Sequence, residues 1–231
     1  MNASVGGRVR QQQAGGLAAL YLAAAYLMAM PYFLLFVKYP SIVDPVEKIA
    51  MLAGHHESMR VMYLITYVLF GIVLAVLALA LFARLRDGAP ALTQVATAAG
   101  LLWACVLVAS GMIFNAGVAA VVGLQATSPA QAVAAWQAIE PVAQGLGGSG
   151  GELLGGLWVL LVSVAALRSG SLPKGLNWLG VAVGAAGVLS VVPALEDLAY
   201  GFGLLQIVWF VGLGIVMLRT TSLPADPAMA R

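Results

Sequence analysis

Glu152 is the residue whose setting most suggests chemistry. It lies in Gln144–Trp158, QGLGGSGGELLGGLW, where seven glycines and one serine surround a single carboxylate. The stretch runs straight into an apolar segment that ends at Arg168. Glu152 to Leu167 is sixteen residues, a helical rise of about 24 Å. A bilayer hydrocarbon core is about 30 Å thick. The helix is therefore expected to reach back to Gly147 or Gly148, which puts Glu152 at membrane depth. An ionisable side chain there is costly when unpaired and is a functional-site hypothesis by default. Two readings stay open. In one, Glu152 is protonated or hydrogen-bonded and ties helices together, or is merely interfacial where the bilayer thins. In the other, it accepts a proton or cation in a polar pocket open to the outer side.

Counting along neighbouring segments places its candidate partners. Gln206 is thirteen residues before Arg219, about 20 Å above the inner boundary. Asn115 and Ser110 fall in the outer half of their segment, as do Thr66 and Tyr67 in theirs. Arg60 sits at an outer end and has the length to bend down toward Glu152. The ligand-binding set predicted from the sequence is Glu152, Gln206, Asn115 and Arg60. A second candidate is His55-His56-Glu57. Adjacent helical residues diverge by about 100°, so these histidines need a distant carboxylate to complete a zinc site. Interfacial, solvated histidines are the plainer reading. The glycine-rich stretch follows no strand and holds no lysine, so it fails the phosphate-loop pattern. No catalytic residue and no cofactor is predicted.

The elements that must position these residues are helices in a membrane. The chain has 231 residues, 62% hydrophobic and only 9% charged, with mean hydropathy +0.98. A soluble domain is about 25% charged, so this composition excludes one. One cysteine, Cys105, excludes an intrachain disulfide. Six stretches are long and apolar enough to span: 17–37, 61–83, about 92–118, about 147–167, about 176–195 and about 199–218. With the N-terminus in the cytoplasm, eight of eleven basic residues fall inside and seven of nine acids outside, the pattern of the positive-inside rule. Both termini are then cytoplasmic.

Asp44-Pro45-Val46-Glu47 reads as a helix start, with a capping Asp and Pro at the first position. Ser128-Pro129-Ala130-Gln131 repeats that grammar. The two predict short outer-surface helices, the first ending at Gly54 and the second before Pro141. Tyr39, Tyr63, Trp136, Trp178 and Tyr200 sit near span ends, as an interfacial aromatic belt would. Trp103, Trp158 and Trp209 are deeper and read as packing residues. Gly147, Gly151 and Gly155 are spaced by four, and Gly148 and Gly156 each lie four residues from Glu152. Such rows let a neighbouring helix approach closely, and Gly180 and Gly184 offer a matching surface. The turns RLRDGAPALTQ and ALRSGSLPKGLNW share Arg, Gly and Pro in that order, either as a trace of duplication or as ordinary hairpin chemistry.

The segments GGELLGGLWVLLVSVAALRSGSLPKGLNWLG, QIVWFVGLGIVMLR and ALALFARLRDGAPALTQVATAAGLLWA resemble a family of bacterial six-helix membrane proteins known only as a domain of unknown function. The resemblance covers roughly 43–219 and implies six spans and no known reaction.

The expected protein is all-α, with a cytoplasmic segment 1–16, a six-helix membrane domain 17–219 and a disordered cytoplasmic tail 220–231. It belongs in an inner membrane and leans away from catalysis. Its expected role is to bind a small ligand, a lipid or a proton-coupled solute in an outward-facing polar pocket. The alternatives are an enzyme with a metal at the outer face and a structural subunit of a membrane complex. Its partners are the bilayer, a small ligand and either further copies of itself or another membrane subunit. Nucleic acid is not among them.

Overall fold

The computed structural model describes residues 2–147 and 152–219, and the side chains of all of these except residues 2–5 and 8. Regular structure among the described residues is entirely helical. The expected tail 220–231 and the glycines Gly148 and Gly151 lie outside them.

Helix α1 (Asn2–Pro31) passes into a π-helical turn, Tyr32–Phe36, closed by Val37 N–H donating to the Tyr32 carbonyl at 2.9 Å. The chain turns at Lys38, whose φ of 50° is left-handed. Helix α2 (Pro45–Tyr63), a π-helical segment Leu64–Leu69 and α3 (Phe70–Leu85) form one helical run of 41 residues. Then come α4 (Pro90–Gln125), α5 (Pro129–Gly147), α6 (Glu152–Ser169), α7 (Lys174–Leu189) and α8 (Leu198–Arg219). Among the described residues, five helical runs are long and apolar enough to cross a membrane. The sixth, α7, has 16 residues, about 24 Å. It stops before the expected 195 because Pro193 opens a separate 3-10 turn, with Val192 extended before it.

Both predicted helix starts are present. Asp44 Oδ1 accepts from Glu47 N–H at 2.8 Å with Pro45 at the first position, and α5 begins at Pro129. Their predicted ends are not. The helix runs straight through Gly54, where an exposed glycine weakens a helix by only about 1 kcal/mol. It also runs through Pro141, because the Gln137 carbonyl that the proline leaves unpaired is on the exposed face.

This continuity changes the architecture. α4 has 36 residues, about 54 Å, well beyond the roughly 30 Å of a hydrocarbon core. α5 packs along one half of it and α6 along the other. Ser110 Oγ donates to the Ala143 carbonyl at 2.7 Å in the first half, and Trp103 meets Trp158 at 5.8 Å in the second. Two cores result. The larger joins α1, α3, α4, α6, α7 and α8 through residues such as Leu22, Leu77, Trp158 and Phe210. The smaller joins α2, the far half of α4 and α5 through Leu52, Met59, Phe114, Val121 and Trp136.

The belt reading needs correction. Tyr39, Tyr63 and Trp136 are buried in the smaller core, where Tyr63 stacks on Phe114 at 3.5 Å between centroids. Trp178 and Tyr200 are exposed, and Trp103, Trp158 and Trp209 are buried as expected.

α6 and α7 touch backbone to backbone. A Cβ on Gly156 would lie 2.6 Å from Val188 N and 2.8 Å from the Gly184 carbonyl, and one on Gly184 would lie 2.6 Å from Leu160 N. Gly180 faces Ser163 and Trp209 instead. Gly170, at φ +65°, ends α6. At the end of the bundle that holds these turns, Arg84 donates to the Ser171 carbonyl at 3.0 Å and to Gln12 Oε1 at 3.0 Å. Gly16 packs against Leu218 there, so α1 begins where α8 finishes.

Candidate functional site

At the opposite end of the larger core, Glu152 opens α6 and lines a cavity of about 360 Å³. The two limits of the described chain around the glycine stretch, Gly147 and Glu152, both border it. α1 contributes Tyr26 and the π-helical turn after it Phe33, the run from α2 to α3 contributes Tyr63, Thr66, Tyr67 and Phe70, and α4 contributes Trp103. Tyr39 and Pro40 close one side, and Phe202 of α8 another. Aromatic faces make most of the wall. Tyr26 meets Phe70 edge-on at 5.6 Å, and Tyr63 stacks on Tyr67 at 4.7 Å.

Both π-helical segments border this cavity, through Phe33 and Leu34 in one and Thr66 and Tyr67 in the other. A π turn widens the helix and takes a carbonyl out of the regular ladder, and such turns are frequent at functional sites. Here a displaced acceptor is used. Tyr21 of α1 donates its hydroxyl to the Ile65 carbonyl at 2.7 Å. Tyr39 is held from outside the cavity. Its hydroxyl donates to Glu140 Oε1 at 2.6 Å, the same oxygen that accepts from Lys48 at 3.1 Å. A second hollow of about 30 Å³ lies among Tyr63, Tyr67, Ser110 and Phe114, large enough for a water molecule.

Glu152 stands in this wall without an ion-pair partner among the described residues. The Tyr26 and Tyr67 rings are within electrostatic reach of its carboxylate. Its predicted companions are elsewhere. Gln206 is fully buried one turn along α8 from Phe202, and neither its Oε1 nor its Nε2 has a hydrogen-bond partner among the described residues. Asn115 Nδ2 donates to the Arg60 carbonyl at 3.3 Å, which joins those two residues to each other and not to Glu152. Arg60 is exposed. Of the polar groups placed in the outer half, Thr66 and Tyr67 do line the cavity.

The histidines do not converge. His55 Nδ1 is 3.1 Å from the Met51 carbonyl, His56 Nδ1 is 2.8 Å from the Ala53 carbonyl, and His56 Nε2 is 3.3 Å from its neighbour Glu57. Among the described residues no three His, Cys, Asp or Glu side chains are grouped to hold a metal ion.

The sequence reading missed the aromatic wall. Its signal was present. Tyr63, Tyr67 and Phe70 are spaced by four and three, and Tyr26 and Phe33 by seven, each set on one helical face. Such a stripe looks the same whether it packs a core or lines a cavity.

The fold and this site define a multi-pass helical membrane protein with a cavity in its bundle. The family model described as "Domain of unknown function (DUF4386)" matches residues 17–200, and the chain belongs to that family. No curated protein and no solved structure matches the chain.

Proposed function

We propose that this is a non-catalytic protein of a bacterial inner membrane that binds a small ligand, a lipid or a proton-coupled solute in the Glu152 cavity. The observation that carries the reading is the cavity itself. It is of ligand size, it is bordered by both π-helical segments, and its wall includes a carboxylate with no cationic partner among the described residues. The pocket expected from the sequence was polar. The proposed one is aromatic, with Glu152, Thr66 and Gln144 as its polar points.

The cavity faces outward in this reading, and both termini are cytoplasmic. Charge supports that orientation. Arg84, Arg86, Arg168, Lys174 and Arg219 belong to the end where α1 begins and α8 finishes, whereas Glu140, Glu152, Glu196 and Asp197 belong to the other. The glycine contact between α6 and α7 serves as the rigid seam that holds α6, and with it Glu152, in place.

The test is what the protein retains on purification into lipid nanodiscs. Mass spectrometry of the wild type should find a bound small molecule or lipid that is depleted in Ala29→Trp, a substitution that fills the cavity. Equal retention by both proteins, or nothing retained by the wild type, overturns the proposal.

A further inference from the structure

We propose that the occupant of the Glu152 cavity is an organic cation: a protonated lipophilic amine or a quaternary ammonium. Its charge lies beside Glu152 and its body against the aromatic rings. This rests on the cavity being the working site and narrows the ligand to one chemical class.

Three observations point the same way. The first is charge. The cations that the sequence puts at this end of the bundle are used or turned away. Lys48 is bound to Glu140, and Lys38 and Arg60 are exposed. None pairs with Glu152 among the described residues. A half-buried carboxylate in the cavity wall favours a positive occupant, since burying an unpaired charge is costly. An anionic lipid headgroup would add a second negative charge, and a neutral sterol or acyl chain would leave the carboxylate unmatched.

The second is the wall. Tyr26, Phe33, Tyr67, Phe70 and Trp103 surround the same space. Aromatic faces carry negative potential and recognise ammonium groups, most favourably where water is excluded. This protein already uses that contact once beside the cavity, where Lys48 Nζ stands 4.9 Å over the Tyr39 ring.

The third is size and donor count. The cavity's roughly 360 Å³ suits a molecule of drug size and far exceeds a bare ion. Glu152 is its one carboxylate among the described residues, whereas calcium takes six to eight oxygen ligands and magnesium about six.

The experiment is isothermal titration calorimetry on full-length protein in nanodiscs with three probes of matched shape: benzyltrimethylammonium, its neutral carbon isostere neopentylbenzene, and benzenesulfonate. The wild type should bind the cation roughly tenfold or more tighter than the neutral isostere, with the anion weakest. Glu152→Gln should lose about tenfold for the cation and leave the neutral isostere unchanged, which also shows that the variant is folded. Glu152→Asp should keep the preference for the cation, and Tyr67→Leu should reduce it. Equal binding of cation and isostere by the wild type, or a cation affinity indifferent to Glu152→Gln, overturns the cation assignment and leaves the cavity as a neutral-ligand site. If none of the three probes binds the wild type, the cation assignment is overturned too. If Ala29→Trp also leaves the retained molecules unchanged, the cavity itself is not the working site.

Discussion

Two aromatic regions of the bundle lie one helical turn apart along α8 and have opposite characters. Near Gln206 in sequence, Trp209 and Phe210 pack with Trp158 at 5.5 to 6.3 Å, and Gln206 is completely buried. Around Phe202, a comparable set of rings encloses about 360 Å³ of space. Aromatic content does not separate the two. The backbone does. Beside the sealed region α6 and α7 are regular α-helices, and Gly156 and Gly184 let their main chains touch. Around the open region two helices carry π-helical turns. Regular helices in backbone contact leave no room, whereas widened helices leave space in the wall.

The sharpest way to break this contrast is Gly156→Leu. Its Cβ would collide with main-chain atoms of α7, which cannot rotate away as a side-chain tip can. A loss of about 3 kcal/mol is expected, read as a large drop in Tm in detergent. A Tm equal to that of the wild type would show that the seam is not tight. Next, Tyr39→Phe removes a hydrogen bond to the charged Glu140 at the side of the cavity. It should cost about 1.5–3 kcal/mol and quicken hydrogen exchange in residues 37–45. Unchanged exchange there would mean that Lys48 alone holds that wall.

Gln206→Leu addresses the sealed region and should act in the other direction. Both amide atoms are buried without a partner among the described residues, so an apolar side chain of similar length should raise stability by about 1 kcal/mol. A fall of similar size would reveal a hydrogen bond, through water or protein, that the amide needs. The smallest effect is expected at Gly54→Ala. Nothing lies within 4 Å of the added carbon, and α2 should gain about 0.5–1 kcal/mol. A loss would indicate that something covers this face.

Much of the fold was legible in the chain because it follows from local rules. Apolar length marks membrane-length helices, and Asp44-Pro45 and Ser128-Pro129 mark helix starts through their own backbone chemistry. The stops were less legible. Whether Gly54 or Pro141 ends a helix depends on what the neighbouring face does with the weakened or freed backbone group, and here that face is exposed. Glu152 was readable as the residue to watch because counting residues gives depth. Gln206, Asn115 and Arg60 were misgrouped with it because depth leaves the direction around the helix axis open.

The sequence by itself determined that this is a helical membrane protein, that its charges separate toward two ends, and that one carboxylate opens an apolar segment. Those properties depend on composition and on rise per residue. Tertiary structure alone decided that Gln206 is sealed and Glu152 is not, and that a stripe of tyrosines borders a cavity as well as a core. It also decided that the two supposed surface helices stack along a 36-residue α4 to build a second core. Each of these depends on which helix faces come together and how closely their backbones approach, and a one-dimensional pattern does not encode that.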